Sequence, residues 1–225
     1  VPFPSHPDFG EDLAFAASEV RNWGTDQGSD FFEKVADRTA VMGHSMGGGC
    51  SFLAAENNPM IDCILGLAPA ETNTSAIAAA ANVTAPTLIL WGTEDEVTPE
   101  AGNALGIFNA VAADCKTYVR IDEGAHCFFA DYNLFCAIGE MNIGSLSREG
   151  QHEVSFALAR PFFDYFLKDD CAAYNGLQDE IATNVNLGTN ILSCPNDSPV
   201  IVENGGTLES DNQGNYQWYF NGNEI

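Results

Sequence analysis

The chain has 225 residues, 45% of them hydrophobic, enough for one domain with a substantial core. Its 32 acidic residues against 8 basic ones give a formal net charge of −24, a surface that repels nucleic acid and anionic membranes and argues against both as partners. No run approaches the roughly 18–20 consecutive apolar residues of a membrane span, and the opening Val1-Pro2-Phe3-Pro4 lacks the methionine and basic segment of a signal peptide, so an internal fragment or a processed product is expected.

Val1 to Phe3 could end a strand, and residues 5–8 carry turn and cap chemistry. Phe9, Leu13, Ala16, Ala17, Val20 and Trp23 recur at helical spacing, which predicts an amphipathic helix over 8–23. A polar loop covers 24–29. Residues 39–42 predict a strand and 46–57 a helix. The continuous apolar run at 61–68, ending at Pro69, predicts a buried parallel strand, as does 86–92. Between them, 71–82 is a loop of small residues with a weak helix. Thr98-Pro99-Glu100 is expected to open a helix, with a capping hydroxyl and proline at the first helical position, that runs to about Ala113. Residues 116–122 alternate like a strand near a sheet edge. Residues 127–150 hold no clean period and predict a long loop or lid, followed by a helix over 151–168 that Pro161 should interrupt. Such strand–helix repeats predict an α/β fold, a mostly parallel sheet with helices on both faces, over residues 1–170. Beyond Lys168 the composition turns to Asn, Gly, Asp and Ser. Residues 171–197 read as a linker and 198–225 as the start of a small β-rich module, with short β-like runs at 200–202, 207–209 and 216–220.

The chemistry gathers around Gly43-His44-Ser45-Met46-Gly47. Gly-x-Ser-x-Gly between a strand and a helix is a nucleophile elbow, in which the serine sits on a strained turn. Gly43 and Gly47 are expected to leave space where a Cβ would collide. The bare five-residue match fits a helix-capping serine equally well; its strand–helix context and the groups downstream favour the nucleophile. Ester hydrolysis by serine needs an imidazole to take its proton and a carboxylate to orient that imidazole. Asp95 stands on the loop after the 86–92 strand, flanked by the competing Glu94 and Glu96; it is preferred because Val97-Thr98-Pro99 starts the next helix just beyond. His126 follows the next strand. Of the other histidines, His6 and His152 read as surface residues, and His44 precedes the serine. The order Ser45, Asp95, His126 is the one this fold requires. Among seven cysteines no zinc or redox spacing occurs. Cys50 and Cys63 read as buried inert thiols. Cys127/Cys136 and Cys171/Cys194 are disulfide candidates, which implies an oxidising compartment. No metal or organic cofactor is implied.

These residues resemble the α/β-hydrolase superfamily over about residues 1–168. Within it, Gly43 to Gly49, Asn57-Asn58-Pro59, Ala85-Pro86-Thr87-Leu88-Ile89 and Asp95 to Pro99 are similar to bacterial cutinases and poly(ethylene terephthalate) hydrolases of the dienelactone-hydrolase-like group. The resemblance implies a serine carboxylic-ester hydrolase, monomeric and secreted to the exterior or the periplasm, acting on neutral small or polymeric esters. Ser45 would be the nucleophile, His126 the base, Asp95 its orienting acid, and the Met46 backbone N–H an oxyanion donor. Lipase, acetylhydrolase and polyesterase activities all fit the same three residues. Ala70, Val97 and Phe128 are expected in the acyl or alcohol pocket. Three features depart from the family. Ala70 and Glu71 stand where polyester hydrolases carry tryptophan and aspartate. Cys127, beside His126, has no partner cysteine before Asp95. The family's earlier strands, and the loop giving the second oxyanion donor, would precede Val1. The tail, with Asn215-Tyr216-Gln217-Trp218-Tyr219, resembles C-terminal adhesion or sorting modules of secreted Bacteroidetes enzymes. That leaves a non-enzyme alternative, an inactive fragment whose tail binds a surface or directs export.

Overall fold

The computed structural model describes residues 5–140 and 144–194 and, beyond them, 201–204, 207–210, 219–220 and 223–224. The strand end expected at the first three residues and most of the 216–220 run lie outside the described residues. Helix α1, His6–Thr25, extends two residues past each predicted end. Its first turn is closed by Asp8, whose carboxylate accepts from the Ser5 N–H at 2.7 Å and the Ser5 hydroxyl at 2.8 Å.

The order then runs β1 (Ala40–His44), α2 (Met46–Ala55), β2 (Cys63–Leu67), α3 (Ala76–Ala80), β3 (Thr87–Gly92), α4 (Ala104–Ala110), β4 (Lys116–Ile121), α5 (Leu134–Gly139), α6 (Arg148–Lys168), α7 (Cys171–Thr183) and β5 (Ile191–Ser193). Strands β1 to β4 pair in chain order and parallel, while β5 adds antiparallel to β4. Ile64, Ile89 and Tyr118 face one side of this sheet, where Phe52 of α2 and Ile107 and Phe108 of α4 pack. Leu65, Leu88, Leu90 and Val119 face the other, against Val154, Leu158 and Phe162 of α6 and Leu177 of α7. Both faces are covered, which is why β2 and β3 are buried at every position and, Thr87 apart, carry no polar side chain. Each large side chain buried there contributes about 1.5–3 kcal/mol. The chain has the α/β-hydrolase architecture, a mixed but mostly parallel sheet between helical layers.

Several expectations need correction. Pro161 lies inside α6 without ending it. The buried stripe Val154, Leu158 and Phe162 holds the helix on both sides of the proline, and that packing outweighs the one backbone bond a proline removes. The helix expected from Thr98 to about Ala113 is split into a 3-10 turn, Glu100–Gly102, and α4. Asn103 breaks it: its amide donates to the Pro99 carbonyl at 2.8 Å and its side-chain oxygen accepts from the Glu71 N–H at 2.9 Å. Within the stretch expected as linker, Cys171–Thr183 is a helix packed on α6, with the Tyr165 and Tyr174 rings 4.8 Å apart, and Ile191–Ser193 is a strand of the sheet. The disulfide expected between Cys171 and Cys194 does not form. Cys171 is a free, exposed thiol at the start of α7, whereas Cys194, like Cys115, is disulfide-bonded. Sequence proximity misled there, because the chain returns to the β4 edge before reaching Cys194.

The chain divides into two compact units, Val1–Ser193 and Cys194–Ile225. In the second, Ile201–Asn204 pairs antiparallel with Thr207–Ser210, and Tyr219–Phe220 with Asn223–Glu224.

Candidate active site

Three loops meet at the carboxyl ends of β1, β3 and β4, the place where open α/β sheets build their sites. The first turns from β1 into α2 at Ser45, whose φ of 56° and ψ of −122° lie where non-glycine residues are rarely held. Its backbone fixes it there: the Ser45 N–H donates to the Leu67 carbonyl at 2.9 Å, and the Ser45 carbonyl accepts from Ala70 at 2.9 Å and Gly49 at 3.1 Å. Gly43 is needed for close approach, since a Cβ on it would stand 2.2 Å from the Gly47 carbonyl oxygen. Gly47 is not, having nothing within 4 Å of such a Cβ; that role falls to Gly49, where a Cβ would meet the Ala70 carbonyl at 2.2 Å. Met46 is the first residue of α2, so its N–H belongs to the first turn, which has no acceptor within the helix.

The second loop carries Asp95, which is buried. One carboxylate oxygen accepts the N–H groups of Val97 at 2.9 Å and Thr98 at 2.7 Å. The other accepts the Thr98 hydroxyl at 2.7 Å and faces His126 Nδ1 at 2.7 Å. The Trp91 indole N–H, bonded to the Thr98 carbonyl at 3.1 Å, ties this turn to β3. Thr98 was expected to cap a helix. Its hydroxyl instead stands between the acid and the imidazole, 3.1 Å from Nδ1.

The third loop carries His126, 2% exposed, at the start of a 3-10 turn, His126–Phe129. Its backbone is gripped by residues far along the chain. Glu140, itself buried, accepts the His126 N–H at 2.5 Å and the Cys127 N–H at 2.9 Å. Gln151, fully buried, accepts the Ala125 N–H and donates to the Ala125 carbonyl, both at 2.9 Å. Arg148 donates to the carbonyls of Cys127 and Ala130 and lies over the Phe128 ring at 4.5 Å. A disulfide joins Cys127 to Cys136.

Asp95 and His126 are thus brought together, and the His44 ring, next to Ser45, packs on the His126 ring at 4.5 Å between centroids. Burial, with a smaller contribution from the His126 charge, lowers the His44 pKa to about 4, so this imidazole is neutral at neutral pH. Among the described residues no hydrogen bond links Ser45 to His126; such contacts are often long in sites without substrate and shorten on binding. Glu94 lies on the β3–Asp95 turn with its N–H bonded to the Gly124 carbonyl at 2.9 Å. Val97 is 41% exposed on the Asp95 turn. Ala70 lies behind Ser45 with its N–H committed to the Ser45 carbonyl, and Phe128 lies under Arg148. The groove beside the elbow, about 380 Å³, is lined instead by residues including Phe9, Leu13, Met42 and Met46. His6 accepts the Asn73 N–H at 3.1 Å. His152, expected at the surface, is half-buried, and its Nε2 is buried without a partner among the described residues.

Thr98, Glu140, Arg148 and Gln151 escaped the sequence. Only Gln151 left a signal, a polar residue on the apolar stripe it shares with Val154 and Leu158.

Residues 6–150 match the PET hydrolase-like family. Cutinase 1 of Thermobifida cellulosilytica is 32% identical over 114 residues, covering 50% of this chain and 41% of that protein. Cutinase of Thermobifida fusca (strain YX) is 32% identical over 114 residues, 50% of this chain and 36% of the relative. The bis(hydroxyethyl) terephthalate hydrolase of Streptomyces coelicolor is 29% identical over 112 residues, 49% of this chain and 34% of that enzyme. The chain therefore spans well under half the length of the curated relatives it matches.

Proposed function

The chain belongs to the PET hydrolase-like family of the α/β-hydrolase superfamily, and on that premise we propose that it is a secreted, monomeric serine carboxylic-ester hydrolase of the polyester type. Ser45 is the nucleophile and His126 its general base. An imidazole whose Nδ1–H is held by a carboxylate presents Nε2 to the serine hydroxyl, takes its proton as Ser45 attacks the ester carbonyl, and returns it to the leaving alcohol. Asp95 holds the tautomer and stabilises the imidazolium. The Met46 N–H donates to the oxyanion, and water releases the acyl group by the same steps in reverse order of proton transfer. The observation that carries this reading is the buried 2.7 Å contact between His126 Nδ1 and Asp95, alongside the strained Ser45 turn.

Charge supports a neutral ester as substrate. A formal −24 disfavours an anionic ligand and favours departure of the carboxylate product. The Cys127–Cys136 disulfide supports an oxidising, extracellular setting. Residues 1–193 would carry the hydrolase and 198–225 a small β-rich module of its own. A fluorophosphonate probe tests the chemistry: it should label Ser45, and Ser45→Ala should abolish both labelling and turnover of p-nitrophenyl butyrate and bis(hydroxyethyl) terephthalate. Labelling at another serine, or more than a few per cent residual turnover, would overturn it.

A further inference from the structure

Taking His126 as the base of the proposed mechanism, we infer that Glu140 is a positioning residue, a buried carboxylate that sets where the His126 imidazole stands. Glu140 is only 4% exposed. A carboxylate in such a place is tolerated only when its oxygens are satisfied, and here each oxygen takes one of two consecutive backbone N–H groups, His126 at 2.5 Å and Cys127 at 2.9 Å. Those N–H groups open a 3-10 turn, where no acceptor exists within the turn itself. Glu140 supplies one from 14 residues away.

The neighbouring contacts sharpen the assignment. Gln151 holds the peptide groups of Ala125, and Arg148 the carbonyls of Cys127 and Ala130. Among these clamps, Glu140 alone bonds residue 126. Two bonds to successive N–H groups fix the tilt of that backbone, hence the direction of the Cα–Cβ bond from which the imidazole hangs. An error of about 1 Å in a reacting group costs on the order of 100-fold in rate. Binding of the ester would be untouched. A carboxylate is required rather than an amide, because Gln at this position offers one acceptor and turns its NH₂ toward the second N–H.

The test uses Glu140→Gln and Glu140→Asp in the intact protein, with kcat, KM, melting temperature and the downfield proton signal of the His126 ring N–H bonded to Asp95. E140Q should lower kcat about 10–100-fold, leave KM within about two-fold, and broaden or erase the ring N–H signal at temperatures where the protein is folded. E140D keeps both acceptor oxygens on a shorter arm, so it should recover part of kcat and of the signal. Wild-type kcat and an unchanged ring signal in E140Q would overturn the assignment, as would a loss expressed in KM alone. Should E140Q not fold, E140D decides: reduced kcat at constant KM sustains it, and wild-type kcat overturns it. If the unaltered protein shows no Ser45-dependent turnover, the esterase reading fails, while the ring signal still reports whether Glu140 holds the imidazole.

Discussion

The Asp95 turn and the His126 turn lie side by side and are built in opposite ways. Asp95 is held by its own neighbours: Val97 and Thr98, two and three residues on, satisfy its carboxylate. His126 is held by residues 14 to 26 positions away or, in the case of its disulfide-bonded neighbour Cys127, by Cys136. One group is positioned by a local turn, the other by a clamp that exists only once the chain has folded around it. The acid should therefore tolerate changes elsewhere in the chain, and the base should not.

The largest expected effect attacks the local side. In Asp95→Asn the amide oxygen can keep the N–H groups of Val97 and Thr98, so the turn survives and the melting temperature should move by only a few degrees. The amide NH₂, however, faces His126 Nδ1 and stabilises the tautomer with its hydrogen on Nε2. Loss of kcat on the order of 10⁴-fold is expected. A loss under ten-fold would remove Asp95 from the mechanism and turn attention to Glu94 and Glu96.

The same contrast explains what could be read in advance. Strand, elbow and helix around Ser45 were legible because their signals lie within a dozen residues. So was Asp95, placed by a strand end and a following turn. Residues 127–150 showed no period, and the structure supplies a reason: Glu140 and Arg148 reach the backbone around His126 through bonds that no sequence spacing betrays, whereas the Cys127–Cys136 link was legible as a disulfide candidate. Pro161 and the Cys171/Cys194 pairing failed for a related cause. In both, tertiary placement outweighed local chemistry, through the buried stripe of α6 in one and the return of β5 to the sheet in the other.

A second prediction concerns the ring on which His126 rests. His44 titrates at about 4 in the folded protein against an ordinary 6.5. Between those values the unfolded chain binds a proton that the folded one does not, so stability is fully present above about 6.5 and is lost as pH falls toward 4. The loss from this group is at most about 3 kcal/mol. His44→Phe should flatten this part of the acid-side decline in urea unfolding between pH 7 and 4.5. An unchanged slope would show that the pH sensitivity lies elsewhere.

Smaller again is the disulfide. Replacing both Cys127 and Cys136 by alanine opens a link across nine positions, worth about 2.5 kcal/mol on the loop-entropy model. The melting temperature should fall by roughly 5–10 °C, with a larger fractional loss of kcat than of ester binding, since the loosened segment carries Glu140. Equal melting temperatures would mean that the backbone clamp suffices without the covalent link.

The smallest effect probes the one hydroxyl shared by the two turns. Thr98 belongs to the local turn by its N–H bond to Asp95, yet its hydroxyl stands 2.7 Å from the second carboxylate oxygen and 3.1 Å from His126 Nδ1. Donating to the carboxylate, it fixes the oxygen that must receive Nδ1–H and keeps the acid from rotating away when the imidazole becomes charged. Thr98→Val preserves the shape and the backbone bonds and removes only that donor, at a residue that is itself buried. A hydrogen bond to a charged group contributes about 1.5–3 kcal/mol, and the lower figure corresponds to about a ten-fold fall in kcat. KM should hardly change, while the melting temperature should fall by roughly 3–6 °C, since a buried carboxylate oxygen loses its donor even though the methyl group fills the space. Thr98→Ser should restore most of the rate, since it returns the hydroxyl without the methyl. A valine variant as fast as the parent would mean that the acid turn and the base turn are joined only through the Asp95–His126 contact, and that each is positioned independently of the other.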